Sequence, residues 1–123
     1  MGARRILVVD DCVDTVELVV SLLSSFGHEC QGVSTGSAAI AAGATFAPQI
    51  VLLDLTLPDV SGFDVARELR TRCREAFYLA ALTGWGQPRD VVRTREHGFD
   101  QHLTKPVNVH ALREMIERAA QIR

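Results

Sequence analysis

Three carboxylates, a hydroxyl and an ammonium stand out because each closes or follows an apolar run. Ile6-Leu7-Val8-Val9 leads directly into the adjacent acids Asp10 and Asp11, and Ile50-Val51-Leu52-Leu53 ends on Asp54. Thr83 follows Leu79-Ala80-Ala81-Leu82, and Lys105 follows Leu103-Thr104. Acids brought this close repel by roughly a few kcal/mol at an effective dielectric near 20. Such a group holds together when one acid is protonated or when a cation sits among them. Mg²⁺ suits the second case: a hard ion, usually held by one or two carboxylates, waters and a phosphate oxygen. A cation, an ammonium and a hydroxyl around a carboxylate make a receptor for an anion with spread charge, which is what phosphoryl transfer requires. A carboxylate nucleophile there gives an aspartyl-phosphate. Asp54 is the candidate nucleophile, because its strand is expected to be central. Helix capping by Asp11 or Asp14 would explain one acid but not all three.

The composition isolates the ammonium. Of thirteen basic residues twelve are arginine, so Lys105 is the single lysine, immediately before Pro106.

These positions need elements to carry them to one place. Five apolar runs, at 5–10, 29–33, 49–54, 77–82 and 100–104, alternate with segments of helical period. The first, third and fourth are apolar on both faces, as parallel strands covered above and below must be. Val16, Val19, Val20 and Leu23 form a helical stripe over 14–26, with Gly27 as its stop. The alanine-rich helix 37–46 ends before Pro48. Ser61 and Asp64 stand at capping-box spacing. Pro88 suits the first turn of a helix that Gly98 closes, and Asn108 caps the last helix. The fourth helix, 88–97, has only Val91 and Val92 as large apolar residues, so it should be cheap to displace. Strand and helix alternating five times predicts an α/β fold with a parallel sheet and right-handed crossovers. Five units are too few for an eight-stranded barrel, so an open three-layer sandwich is expected. Its crevice lies beyond the C-terminal strand ends, where Asp10, Asp11, Asp54, Thr83 and Lys105 all fall.

With 123 residues and a formal charge of -2, the chain reads as one domain, 1–123, without an appended output domain. No basic stripe points to direct nucleic-acid binding, no polybasic run to a membrane surface, and no apolar stretch is long enough to span a bilayer. Cys12, Cys30 and Cys73 lack CxxC spacing and fit reduced thiols in the cytoplasm, Cys12 as a small, partly buried residue. His28, His97 and His110 lack metal-ligand spacing.

End to end, the chain resembles the receiver domain of two-component response regulators. The matching segments are Asp10-Asp11, LLDLTLPDVSGFD at 52–64, ALTG at 81–84 and LTKPV at 103–107, in order. The resemblance implies a (βα)5 doubly wound, flavodoxin-like sheet of order 2-1-3-4-5. It implies that Asp54 takes a phosphoryl group from the phosphohistidine of a histidine kinase or a histidine phosphotransfer protein. Asp11 and Asp54 would bind Mg²⁺ (or Mn²⁺) directly, Asp10 through water, and Thr56 through its backbone carbonyl. Lys105 would pair with the phosphoryl group, Thr83 would turn inward to hydrogen-bond it, and Gly84 would leave room for the donor. The Lys105–Pro106 bond would be cis. The α4-β5-α5 face would carry the signal to a downstream protein, and the family also admits a homodimer. Hydrolysis would be slow self-dephosphorylation rather than enzymatic turnover.

His102 departs from the pattern, since many receivers carry a switching tyrosine or phenylalanine there. A histidine at this place, with ALTGWGQPRD and GFDQHLTKPV, resembles receivers attached to hybrid histidine kinases. That setting would make the domain a relay, a phosphate sink or an autoregulator. Trp85, the single tryptophan, and Thr56 stand where the family tunes dephosphorylation, and Trp85 is expected at the rim of the site. A Mg²⁺-dependent phosphohydrolase would want a carboxylate two residues after the nucleophile, where Thr56 stands. A flavin carrier would want a phosphate-cradling loop where Asp10-Asp11-Cys12 stands, and a degenerate receiver would lack the full set of site residues.

Overall fold

The computed structural model describes residues 2–84 and 88–122, with residues 88–91 and 122 described by their backbone alone. The elements alternate throughout: β1 (Arg5–Val9), α1 (Val13–Ser25), β2 (Glu29–Val33), α2 (Gly36–Phe46), β3 (Ile50–Asp54), α3 (Gly62–Arg72), β4 (Tyr78–Thr83), α4 (Pro88–Glu96), β5 (Gln101–Thr104) and α5 (Val109–Ile122). All strand pairs are parallel, and the sheet runs β2-β1-β3-β4-β5, so β1 and β3 are neighbours near the centre. Among the described residues, no helix is long and apolar enough to cross a membrane.

The strand period of two divides the core. Ile6, Val8, Ile50 and Leu52 face one way, against Val19 and Leu23 of α1 and Leu112 and Met115 of α5. Leu7, Val9, Val51 and Leu53 face the other, against Ala39 and Ala42 of α2 and Val65 and Leu69 of α3. Every residue of β3 and β4 is buried, whereas β2 at the sheet edge has none fully buried. Burying each large aliphatic side chain contributes about 1.5–3 kcal/mol, which fixes the strand register before any polar group is considered. On α4, Thr94 is buried while Val92 is half exposed. Arg93 lies 4.2 Å over the Phe63 ring, so α4 runs beside α3.

The helix ends differ in part from expectation. Gly27 (φ 94°) and Gly98 (φ 79°) close α1 and α4 in left-handed backbone, but Ala47 adopts φ 52° after α2. Ser61 caps α3 by accepting from the Phe63 amide at 3.2 Å, while Asp64 pairs with Arg67 instead of completing a capping box. Asn108 caps α5, accepting from the Ala111 amide at 2.8 Å. The N-cap position of α1 is held by Cys12, which makes no side-chain cap bond, and Asp14 lies in the first turn.

Helix α2 is tied to the β3–α3 loop. Thr35 accepts from the Ala38 amide at 3.1 Å, and Asp59 accepts from the amides of Gly36 at 2.9 Å and Ser37 at 3.0 Å. The Ser37 hydroxyl adds a third bond at 2.9 Å. The Gly36 and Ser37 amides, at the positive end of the helix, pull the Asp59 carboxyl down to about 2. A depressed carboxyl stabilises the fold above its unfolded pKa of about 3.9, and that contribution is lost as pH falls through the folded value. Asp59→Asn should therefore lower the unfolding temperature by a few degrees at neutral pH. In urea melts the gap to the unsubstituted protein should close as pH falls below about 4; a gap independent of pH would contradict this role for the charge.

Candidate functional site

The C-terminal edge of the sheet gathers the polar residues through strand register. Val9 is level with Leu53, so Asp10, the residue after β1, leaves the sheet beside Asp54, the last residue of β3. Thr83 ends β4 opposite Thr104, and the next residue, Lys105, donates its amide to the Thr83 carbonyl at 2.7 Å. The Lys105–Pro106 peptide is cis.

Asp10 and Asp54 are almost wholly buried, at 0% and 1% exposure, while Asp11 stands at the exposed rim. Lys105 bridges the buried pair, its Nζ 2.8 Å from Asp10 Oδ2 and 3.3 Å from Asp54 Oδ2. The other oxygen of each acid is held by its own loop. Asp10 Oδ1 accepts from the Cys12 amide at 2.9 Å, and Asp54 Oδ1 accepts from the Thr56 amide at 2.9 Å and its hydroxyl at 3.1 Å. These bonds fix the plane of the Asp54 carboxylate.

Gly62 makes that loop possible. A Cβ there would lie 2.6 Å from Leu55 Cα and 2.7 Å from the Asp54 carbonyl oxygen, both backbone atoms that cannot yield. Its amide donates to the Leu55 carbonyl at 3.1 Å, closing residues 55–61 beneath Asp54. The sequence signal for this was slight, a glycine after Ser61 at a helix start.

The charges do not balance within the protein. Burial pushes the Asp54 carboxyl up, and the nearby Asp10 charge adds to this against the opposing Thr56 hydrogen bonds and Lys105. Partial burial pulls the Lys105 ammonium down, but the bond to Asp10 and the charges of Asp54 and Asp10 outweigh it, so its pKa is raised. Asp10, Asp11 and Asp54 each present an oxygen atom, all within 4.8 Å of one another. Three hard anionic donors against one ammonium are a set a divalent cation fits, and Mg²⁺ or Mn²⁺ matches oxygen-only ligation.

The remaining sequence candidates divide. Thr83 is buried, and its Oγ1 lies 2.7 Å from His102 Nε2, a direct bond that spacing alone did not reveal. Gly84 is exposed, and among the described residues nothing lies within 4 Å of where its Cβ would be. Cys12 is exposed rather than partly buried. Trp85, expected at the rim, lies outside the described residues.

A raised Asp54 pKa means that its ionisation opposes folding. The stability it leaves intact below the ordinary carboxylate pKa is lost as pH rises through the raised value. In chelator-treated protein, Asp54→Asn should thus raise the unfolding temperature by a few degrees at neutral pH, with the gain vanishing below about pH 4. Circular-dichroism melts across that range measure it. An asparagine variant no more stable than the unsubstituted protein at neutral pH would contradict the charge assignment.

The family model for the response regulator receiver domain matches residues 6–117. The chain is 36% identical over 115 residues to the DNA-binding dual master transcriptional regulator RpaA of Synechocystis sp., covering 93% of this chain and 46% of that protein. It is 32% identical over 126 residues to the virulence sensor protein BvgS of Bordetella bronchiseptica, covering 94% of this chain and 10% of that one. The chain therefore spans less than half the length of either relative. Among solved structures, a CheY-like response regulator receiver domain protein from Methanospirillum hungatei superposes with a TM-score of 0.88 at 26% identity, covering 98% of this chain and 96% of that one. A flavodoxin-like sheet of order 2-1-3-4-5, matched along nearly all of its length, places this chain in the receiver domain family of two-component response regulators.

Proposed function

We propose that the domain accepts a phosphoryl group on Asp54 from the phosphohistidine of a histidine kinase or a histidine phosphotransfer protein. The observation that carries this reading is the state of Asp54: buried, oriented through Oδ1 by Thr56, and within 3.3 Å of the Lys105 ammonium through Oδ2. An Asp54 oxygen attacks phosphorus, the P–N bond of the donor breaks, and the imidazole leaves with the bond's electron pair. Lys105, now shared between two acids, is placed to turn to a phosphoryl oxygen as the Asp54 charge is spent. Thr83, at the end of the adjacent strand, offers a hydroxyl donor, and the space that the described residues leave around Gly84 would admit the donor imidazole. Asp10, Asp11, Asp54 and the Thr56 carbonyl would hold Mg²⁺. When bound, the ion supplies the positive charge that lets phosphoryl and carboxylate oxygens approach. Burial of Asp54 limits water access, which supports slow self-dephosphorylation in place of enzymatic turnover.

The α4-β5-α5 face carries the output in this reading, toward a protein partner. The similarity to a sensor protein favours a second setting for the same chemistry, a receiver joined to a histidine kinase and acting as relay, phosphate sink or autoregulator.

Incubation with Mg²⁺ and acetyl phosphate, followed by intact-mass spectrometry, should reveal a single phosphoryl adduct that Asp54→Asn abolishes. The absence of an adduct on the unsubstituted protein, or its persistence in the variant, would overturn the assignment.

A further inference from the structure

We infer that His102 is a positioning residue that decides, through the location of one proton, whether Thr83 can engage a phosphoryl group. This inference rests on the Asp54 acceptor reading.

His102 Nε2 and Thr83 Oγ1 are 2.7 Å apart, a full hydrogen bond between β5 and β4. A threonine hydroxyl has one proton to give and lone pairs to accept with, whereas neutral imidazole has one N–H and one bare nitrogen. Two arrangements satisfy the pair. In the first, Thr83 donates to Nε2, His102 carries its proton on Nδ1, and Thr83 has nothing left to donate. In the second, Nε2–H donates to Oγ1, and the hydroxyl proton is free to point elsewhere.

A phosphoryl group on Asp54 is an acceptor there, so Thr83 must give it that single proton. Only the second arrangement permits this while the His102 bond survives. Phosphorylation therefore selects Nε2–H. Its added negative charge also favours the doubly protonated imidazolium, the extra proton coming from solvent.

Among the described residues, the charges lining the space beside His102 come in both signs. A cavity of about 370 Å³ beside His102 is lined by Arg95 of α4, Asp100 before β5, and Glu114 and Arg118 of α5, two cations against two acids. Lys105 follows on the site side, already occupied by Asp10 and Asp54. The same cavity opens between α4 and α5, so the protonation state of His102 is exposed to the face that carries the output. An aromatic residue at this place could only occupy or leave that space; a histidine can also report a proton.

The test is ¹⁵N–¹H NMR of histidine-labelled protein with Mg²⁺, before and after beryllofluoride, with ¹⁹F NMR reporting occupancy. His28, His97 and His110 serve as internal references. In the bound state His102 should carry a proton on Nε2, with its titration midpoint raised by about one pH unit, a tenfold gain in proton affinity. Measured against His102→Gln, whose amide offers an N–H at every pH and which shares the Asp54 titration, the unsubstituted protein should gain beryllofluoride affinity as pH falls through the histidine range. Bound fluoride with His102 in its Nδ1–H form, or with an unmoved midpoint, would overturn the inference alone. No bound fluoride at all would overturn the Asp54 reading, and this inference with it.

Discussion

A lone ammonium holding two buried carboxylates is the contact on which the rest of the structure depends. Asp10 and Asp54 are both out of water, and Lys105 reaches each of them from the end of β5. At the 4.8 Å limit of the three-acid cluster, each like-charge pair repels by roughly 3–4 kcal/mol at an effective dielectric of 20, and Lys105 can offset only part of that. Burial first, and the Asp10 charge after it, make Asp54 hold its proton more tightly than an exposed aspartate. Buried charge with an incomplete counter-charge is a poor way to stabilise a fold. It is a good way to hold a site ready for a cation and an anion together.

The scaffold supplies the stiffness that this arrangement needs. Adjacent β1 and β3 set Asp10 beside Asp54, and burial of β3 and β4 throughout, and of β1 beyond Arg5, resists any slip in register. The loop after β3 is clamped from both ends, by Gly62 against the Asp54 backbone and by Asp59 against the start of α2. A change at Asp54 thus has little room to relax toward α2 or α3. The less buried side lies at β5 and α4, where His102 shares a hydrogen bond with Thr83 at the end of the buried β4.

Much of this was legible in the sequence because burial writes a strong pattern. ILVV, IVLL and LAAL, apolar on both faces, located the covered strands to within a residue, and polar residues directly after them marked the crevice. Lys105 stood out through its rarity. What spacing could not give was the pairing of side chains across strands. The bond from His102 to Thr83 depends on β4–β5 register and rotamer, and the Asp59 clamp joins residues 22 and 23 positions apart. The Asp64 half of the capping box failed because Arg67, one turn along, offered a charged partner. Ala47 took a left-handed conformation that no glycine announced.

In the proposed reading a divalent cation completes the acidic cluster. Calorimetric titration of Mg²⁺ into the unsubstituted protein and into Asp11→Asn tests it most directly, since Asp11 lies at the rim and its loss leaves the buried pair intact. The predicted result is a weakening of Mg²⁺ affinity by about tenfold or more, equivalent to at least ~1.4 kcal/mol. Equal affinity in the two proteins would contradict the account.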